Sequence, residues 1–266
     1  MTKFLAILNT ITLAVTIYIS YYAQAFGMNN NTISSLSKEY NNLFTPADYA
    51  FAIWGLIYIG LIGFVIFQLK RAFSKHKYNA FIKYINFNFA IANIANMLWI
   101  STWLYEFTFA SVIFMLIILY CLLRIIVKTD MERWDAPLEI IFFVWWPICL
   151  YSGLIAVATI ANIAAYLVKI GWHGWYFTEV QWTIIMIVIA FLINLAMVVL
   201  RNMREFAMVG AWAFIAIYIR HQQLQPAIAQ IALIAAIVLG VVSLAHGYIN
   251  RKTSPFIKLK QRFSKG

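Results

Sequence analysis

The chain is poor in the residues that ordinarily carry chemistry. Among 266 residues there are two cysteines, four histidines and nine acidic side chains. No Walker A glycine loop, HExxH helix, CxxC pair or nucleophile elbow is present. His76, His173, His221 and His246 are scattered, so no Cys/His/Asp/Glu set has the spacing of a metal site. Cys121 and Cys149 both fall inside apolar runs, which argues against a disulfide framework. Lysine is missing from the middle of every such run, which removes the amine a retinal Schiff base requires. Carboxylates are missing there too: Glu106, Glu139 and Glu179 stand near the ends of runs. A proton-coupled transporter ordinarily carries ionisable groups along its path, so that class is disfavoured. The expectation is a protein without catalytic residues, metal or cofactor, and not an enzyme.

What the chain has is apolar length. It is 64% hydrophobic and 11% charged, whereas a soluble domain carries about 25% charge. Eight stretches, near 4–26, 47–69, 82–105, 107–127, 140–168, 179–200, 205–220 and 226–249, approach or exceed the roughly 20 residues that cross a hydrocarbon core. The expected fold is all-α: a polytopic membrane helix bundle of about eight transmembrane helices. With the N-terminus inside, the cytoplasmic loops hold Lys3; Lys70, Arg71, Lys75, Lys77 and Lys83; Arg124, Lys128 and Arg133; Arg201 and Arg204; and Arg251, Lys252, Lys258, Lys260, Arg262 and Lys265. Those are seventeen of the twenty Lys/Arg residues, leaving Lys38, Lys169 and Arg220 outside. The positive-inside bias therefore places both termini in the cytoplasm. The net charge of +11 lies in short loops, so its expected partner is the anionic lipid headgroup layer and not nucleic acid. With no organelle transit peptide in evidence, the expected location is a bacterial inner (plasma) membrane.

Several segments carry local expectations. Lys3, the run after it and Ala23-Gln24-Ala25 imitate a signal peptide, but the run is long and Tyr18, Tyr21 and Tyr22 crowd its exit. It reads as a retained first helix. Residues 27–44 form the longest polar stretch between spans and read as an external connector in preference to a binding lid. Thr45-Pro46-Ala47-Asp48 reads as a helix start, Thr45 capping, Pro46 at the first helical position and Asp48 closing a capping box. Gly55, Gly60 and Gly63 read as close-packing positions. Trp172, Trp175 and Tyr176 suit an outer aromatic belt, and residues 251–266 a basic cytoplasmic tail.

The polar groups left in the spans are amides and aromatic rings. In span three, Asn86, Asn93, Asn96 and Trp103 fall within about 80° of one another at 100° per residue, with Trp99 on the same flank. Trp54 and Tyr58 share a face of span two; Tyr151, Ala158 and Asn162 align on span five. At 1.5 Å per residue Trp54 lies about 12 Å below the outer start of its helix, Trp99 about 9 Å and Asn162 about 10 Å. They occupy one layer of the outer half-bilayer. Two readings stay open. Asn and Trp in membrane helices bridge neighbours, a hydrogen bond being worth ~0.6–2 kcal/mol. An uncharged layer of indoles and amides also suits a flat, largely apolar ligand with a few acceptors.

At these residues the chain resembles the TspO/MBR family, the tryptophan-rich sensory and translocator proteins. That family's second helix opens with Trp-x-Pro-Pro, then places Trp eight residues after the second Pro and Tyr four beyond. Here Pro46, Trp54, Gly55 and Tyr58 stand at those offsets, while Leu43-Phe44-Thr45 replaces the leading Trp and first Pro. Asn96-Met97-Leu98-Trp99 matches the third-helix Asn-x-x-Trp, and Tyr151, Ala158, Thr159 and Asn162 match the fifth helix. Leu154 stands where a family Trp aligns, and Ile163 where a Tyr belongs to the sterol-associated segment. The resemblance spans roughly residues 1–170 and implies a five-helix bundle there, followed by a three-helix extension (171–250) and the tail (251–266). It implies a pocket for a porphyrin or other tetrapyrrole, with Trp54, Tyr58, Asn93, Asn96, Trp99, Trp103, Tyr151, Ala158 and Asn162 as the ligand-binding set. The expected function is a membrane receptor or sensor. The alternative is a transporter of a lipid-like or tetrapyrrole solute, and a homodimer is left open. The missing sterol-segment residues speak against sterol binding and porphyrin degradation.

Overall fold

The computed structural model describes every residue except 41, 75–78, 173, 252–254, 256 and 260–266. Lys75, His76, Lys77, His173, Lys252, Lys260, Arg262 and Lys265 therefore lie outside the described residues, as does most of the tail. All eight expected spans are helices: α1 (Thr2–Ala25), α3 (Ile53–Ala72), α5 (Asn88–Leu104), α6 (Thr108–Lys128), α8 (Trp146–Lys169), α9 (Glu179–Arg201), α10 (Arg204–His221) and α11 (Pro226–Ile249). Shorter pieces join them: α2 (Ile33–Glu39), a 3₁₀ turn Asp48–Ala52, α4 (Ala80–Ile85) and α7 (Leu138–Ile140). No named strand occurs among the described residues. Among the described residues, six helices are long and apolar enough by length and composition to cross a membrane. The other two spans are α5, at 17 residues, and α10, which carries Arg204, Glu205 and Arg220. Both are largely sheltered by neighbouring helices, and a helix that touches little lipid needs less apolar length.

The core begins in α1, α3, α5, α6 and α8, where Phe64, Phe89, Ile118, Ile148 and Tyr151 are fully covered. A second cluster joins α9, α10 and α11 through Ile187, Phe214, Ile228 and Leu239, and Val157 of α8 belongs to it. Helix α8 is thus the shared wall. Gly153 sets its approach to α10: a Cβ there would stand 2.7 Å from the Phe206 carbonyl oxygen and 3.1 Å from Phe206 Cα. Ahead of α8 lies a π turn, Ile141–Trp145. It widens the helix one turn before Pro147, which has no N–H to give. Pro147 then packs against Gly60, and Phe143 against Gly63, each 3.4 Å from an added Cβ. Gly55 departs from the packing expectation, for nothing lies within 4 Å of its Cβ position.

Helix α1 is tied in by polar bonds across the bundle. Asn9 Nδ2 donates to Gln68 Oε1 at 3.1 Å, Thr16 Oγ1 to the Asn93 carbonyl at 3.2 Å, and Asn93 Nδ2 to Thr12 Oγ1 at 3.3 Å. The charged loops separate to two ends. At one, Arg201 meets Asp130 at 3.6 Å and Lys3 sits 5.0 Å over the Phe73 ring. At the other, Lys38 meets Asp48 at 2.6 Å and Lys169 meets Glu106 at 3.5 Å.

Two expectations are corrected. Span three is not continuous: Asn86 adopts φ +51 and ends α4. A left-handed residue breaks the 100° progression, so Asn86 leaves the face of Asn93, Asn96 and Trp103. The capping box does not form either. Ala47 is the N-cap, extended at ψ 150, and no side chain caps the turn. The chain is held here by α10 instead: Arg220 Nη1 donates to the Thr45 carbonyl at 2.9 Å, and Ala47 N to the Ala216 carbonyl at 3.2 Å. Asp48 is drawn to Lys38.

Candidate functional site

Residues 27–46 are more than a connector. Thr32 and Ser35 form a reciprocal capping box at the start of α2, the local pattern that lets a seven-residue helix persist. Leu36 and Phe44 are fully buried beneath it. Asn29 and Asn31 side-chain amides donate to the Leu104 carbonyl at 3.3 and 3.5 Å. Tyr40 Oη donates to Glu106 Oε2 at 2.5 Å, and Lys169 Nζ stands 5.3 Å over the Tyr40 ring. The hydrogen bond from Tyr40, reinforced by Lys169, holds the Glu106 carboxyl below its usual range, while burial and Glu106 push the Tyr40 phenol up. The segment is pinned over the end of the bundle that carries the Lys38–Asp48 and Lys169–Glu106 pairs.

Beneath it lies an apolar chamber with a cavity volume of about 100 Å³. Ile33, Ser37, Tyr40 and Asn42 roof it; Trp54, Trp99 and Trp103 form one wall; Leu154, Ala158 and Asn162 of α8 and Trp212 and Ala213 of α10 face them. Trp54 stacks on Tyr58 at 5.4 Å and 29°, and on Trp99 at 6.5 Å and 22°. Trp99 Nε1 donates to Asn162 Oδ1 at 2.6 Å, and Asn162 Nδ2 to Ser111 Oγ at 2.8 Å. Helices α3, α5 and α8 thus bring Trp54, Trp99 and Asn162 together at one level of the bundle.

The nine candidate residues divide. Trp54, Trp99, Trp103, Ala158 and Asn162 line the chamber. Tyr58, Asn93, Asn96 and Tyr151 do not line it; they bond one level down or to α1. Asn96 Nδ2 donates to Tyr151 Oη at 2.8 Å, Tyr58 Oη shares a 2.7 Å hydrogen bond with Ser20 Oγ, and Asn93 bonds Thr12. In the structure these four bridge helices, the bland reading of amides in membranes. In the chamber wall the Trp103 Nε1 hydrogen is buried and has no hydrogen-bond partner among the described residues. An unpaired indole N–H costs about 1–3 kcal/mol of desolvation, so it offers an anchor for an acceptor.

A family model described as TSPO-like protein matches residues 6–245. The chain belongs to the TSPO-like family. The match runs through α9, α10 and most of α11 as well as the first five spans, so the TSPO-like region extends past residue 170. No curated protein and no solved structure matches the chain. As a TSPO-like chain of apolar helices it is an integral, multi-pass membrane protein in contact with lipid.

Sequence reasoning missed the roof and the α10 wall. Tyr40 and Asn42 sit in a segment without periodicity, and Trp212 and Ala213 in a span with no motif to link them to Trp54. The available signal was compositional: residues 27–46 include Leu36, Tyr40 and Phe44, more apolar material than a solvated connector requires.

Proposed function

We propose that this TSPO-like protein is a non-enzymatic membrane receptor or sensor. Its ligand is planar and largely apolar, of the tetrapyrrole class, and is taken up in the chamber under residues 27–46. The observation that carries the reading is the unpaired Trp103 N–H in the same wall as the near-parallel Trp54 and Trp99 indoles. Flat aromatic surfaces stack on such rings, and a ligand acceptor completes the missing hydrogen bond. The volume argues that uptake requires opening: about 100 Å³ falls short of the ~300–1,000 Å³ of usual ligand sites. The roof is the element to move, because a few polar bonds and one buried cluster hold it. A receptor is favoured over a transporter because Tyr151, Ile155 and Phe206, all fully buried, pack the level below the chamber. The charged end bearing Arg201 and Lys3 is assigned to the cytoplasm of a bacterial inner membrane, with both termini there.

Titration of detergent-purified protein with protoporphyrin IX tests the reading through quenching of tryptophan fluorescence. Trp54→Leu, Trp99→Phe and Trp103→Phe are each expected to weaken binding about tenfold, the effect of one lost contact of roughly 1.4 kcal/mol. Asn93→Ala, away from the chamber, is expected to leave affinity within about twofold. Unchanged affinity in all three tryptophan variants would remove the ligand from this layer.

A further inference from the structure

At the opposite end of the bundle, three potential anionic ligands from separate elements converge. Glu132 comes from the loop after α6, Cys149 from the first turn of α8 and Glu205 from the first turn of α10. One ligand atom of each, two carboxylate oxygens and Sγ, lies within 4.8 Å of the others. Glu132 Oε1 and Glu205 Oε2 are both withdrawn from the surface and have no hydrogen-bond partner. Cys149 Sγ has one weak contact, with Met131 Sδ at 3.7 Å. Of the basic groups nearby, Arg201 meets Asp130 at 3.6 Å and Lys258 pairs with Asp135, while Arg204 acts favourably on both carboxylates without forming an ion pair with either. Neither Glu132 nor Glu205 takes part in an ion pair among the described residues.

Two carboxylates and a thiol held this close, withdrawn from water and with neither acid in an ion pair among the described residues, are stabilised by protons or by a bound cation. We infer that Glu132, Cys149 and Glu205 form a binding site for a divalent transition-metal cation of the zinc class. A thiolate with two carboxylates suits a borderline ion, whereas magnesium and calcium prefer all-oxygen shells. Tetrahedral donors around zinc stand roughly 3.3–3.8 Å apart, so the atoms must draw in by about 1 Å. Glu132 is well placed to move, since it sits in a loop and lines an adjoining polar cavity of about 460 Å³. That cavity supplies the entry path and room for water at the fourth position. Binding exchanges carboxyl and thiol protons for the ion. It would fasten the loop after α6 to α8 and α10, independently of the outer chamber.

Addition of Co²⁺, and separately Zn²⁺, to the purified full-length protein tests the site. Wild type is expected to bind one ion per chain, and the Co²⁺ form to show thiolate-to-metal charge-transfer absorption. Cys149→Ser should abolish that absorption, and Glu132→Gln and Glu205→Gln should each weaken Zn²⁺ binding at least tenfold. Tryptophan emission monitors the fold of each variant. The wild-type spectrum decides alone if a variant does not fold: absence of charge transfer, or of stoichiometric Zn²⁺ binding, overturns the assignment. A band that survives in folded Cys149→Ser also overturns it, by placing the ion elsewhere.

Discussion

Replacing Gly153 by Ala tests how α8 joins the two parts of the core. The added Cβ would stand 2.7 Å from the Phe206 carbonyl oxygen, 3.1 Å from Phe206 Cα and 3.2 Å from Val209 Cβ. Ordinary contact begins near 3.4 Å, so α10 must retreat by about 0.7 Å. Two of the three obstructing atoms are backbone, which no rotamer change can move. Overpacking of this kind costs about 1–3 kcal/mol, equivalent to roughly 3–10 °C in a domain of this size. Gly55→Ala is the matched control, because nothing lies within 4 Å of the new methyl, and its melting temperature should stay near wild type. Thermal unfolding in detergent, followed by tryptophan emission, measures both. Since α10 carries Trp212 and Ala213 into the chamber, Gly153→Ala should also weaken porphyrin binding. Equal stability of Gly153→Ala and Gly55→Ala would refute the close α8–α10 seam and the chamber wall built on it.

Asn162→Leu removes the acceptor of Trp99 Nε1 and the donor to Ser111; orphaning a buried indole N–H should destabilise by about 1–3 kcal/mol, visible as a lower melting temperature. Tyr40→Phe deletes the bond to Glu106 and should speed amide exchange across Ile33–Glu39 while leaving α6 protected. The same clamp is pH-dependent. Glu106 has a folded-state pKa below 4.5, so its contribution is fully present above pH 4.5 and is lost as pH falls through the folded value. Exchange in Ile33–Glu39 should therefore be flat from neutral pH to 4.5 after correction for intrinsic rates, then rise; a rise near pH 7 would contradict this assignment. Lys38→Ala breaks an ion pair whose side chains are 64% and 63% exposed and should leave the melting temperature unchanged, as exposed pairs contribute at most about 1 kcal/mol.

The helices were legible because apolar length is a strong, one-dimensional signal: every span coincides with an observed helix, although the break at Asn86 and the 3₁₀ and π turns ahead of α3 and α8 left no trace in it. The shared depth of Trp54, Trp99 and Asn162 was legible too, since rise per residue and alternating direction suffice to compute it. Which of the aligned amides face a cavity was not. Asn93 and Asn96 sit on the same face of α5 as Trp103, yet they bond Thr12 and Tyr151, and that choice depends on how close α1 and α8 approach. The roof was hidden because its order comes from burying Leu36 and Phe44, a tertiary effect without a local period. Glu132, Cys149 and Glu205 are too far apart in sequence for ligand spacing to reveal them; only the packing of α8 against α10 brings them together.

The most direct measurement fills the chamber. Ala158→Phe puts a ring into the chamber that Ala158 lines together with Trp54, Trp99 and Trp212. If the chamber takes up the planar ligand, this variant, its fold checked by thermal unfolding, binds protoporphyrin IX at least tenfold more weakly than wild type. Wild-type affinity in the folded variant would contradict the account.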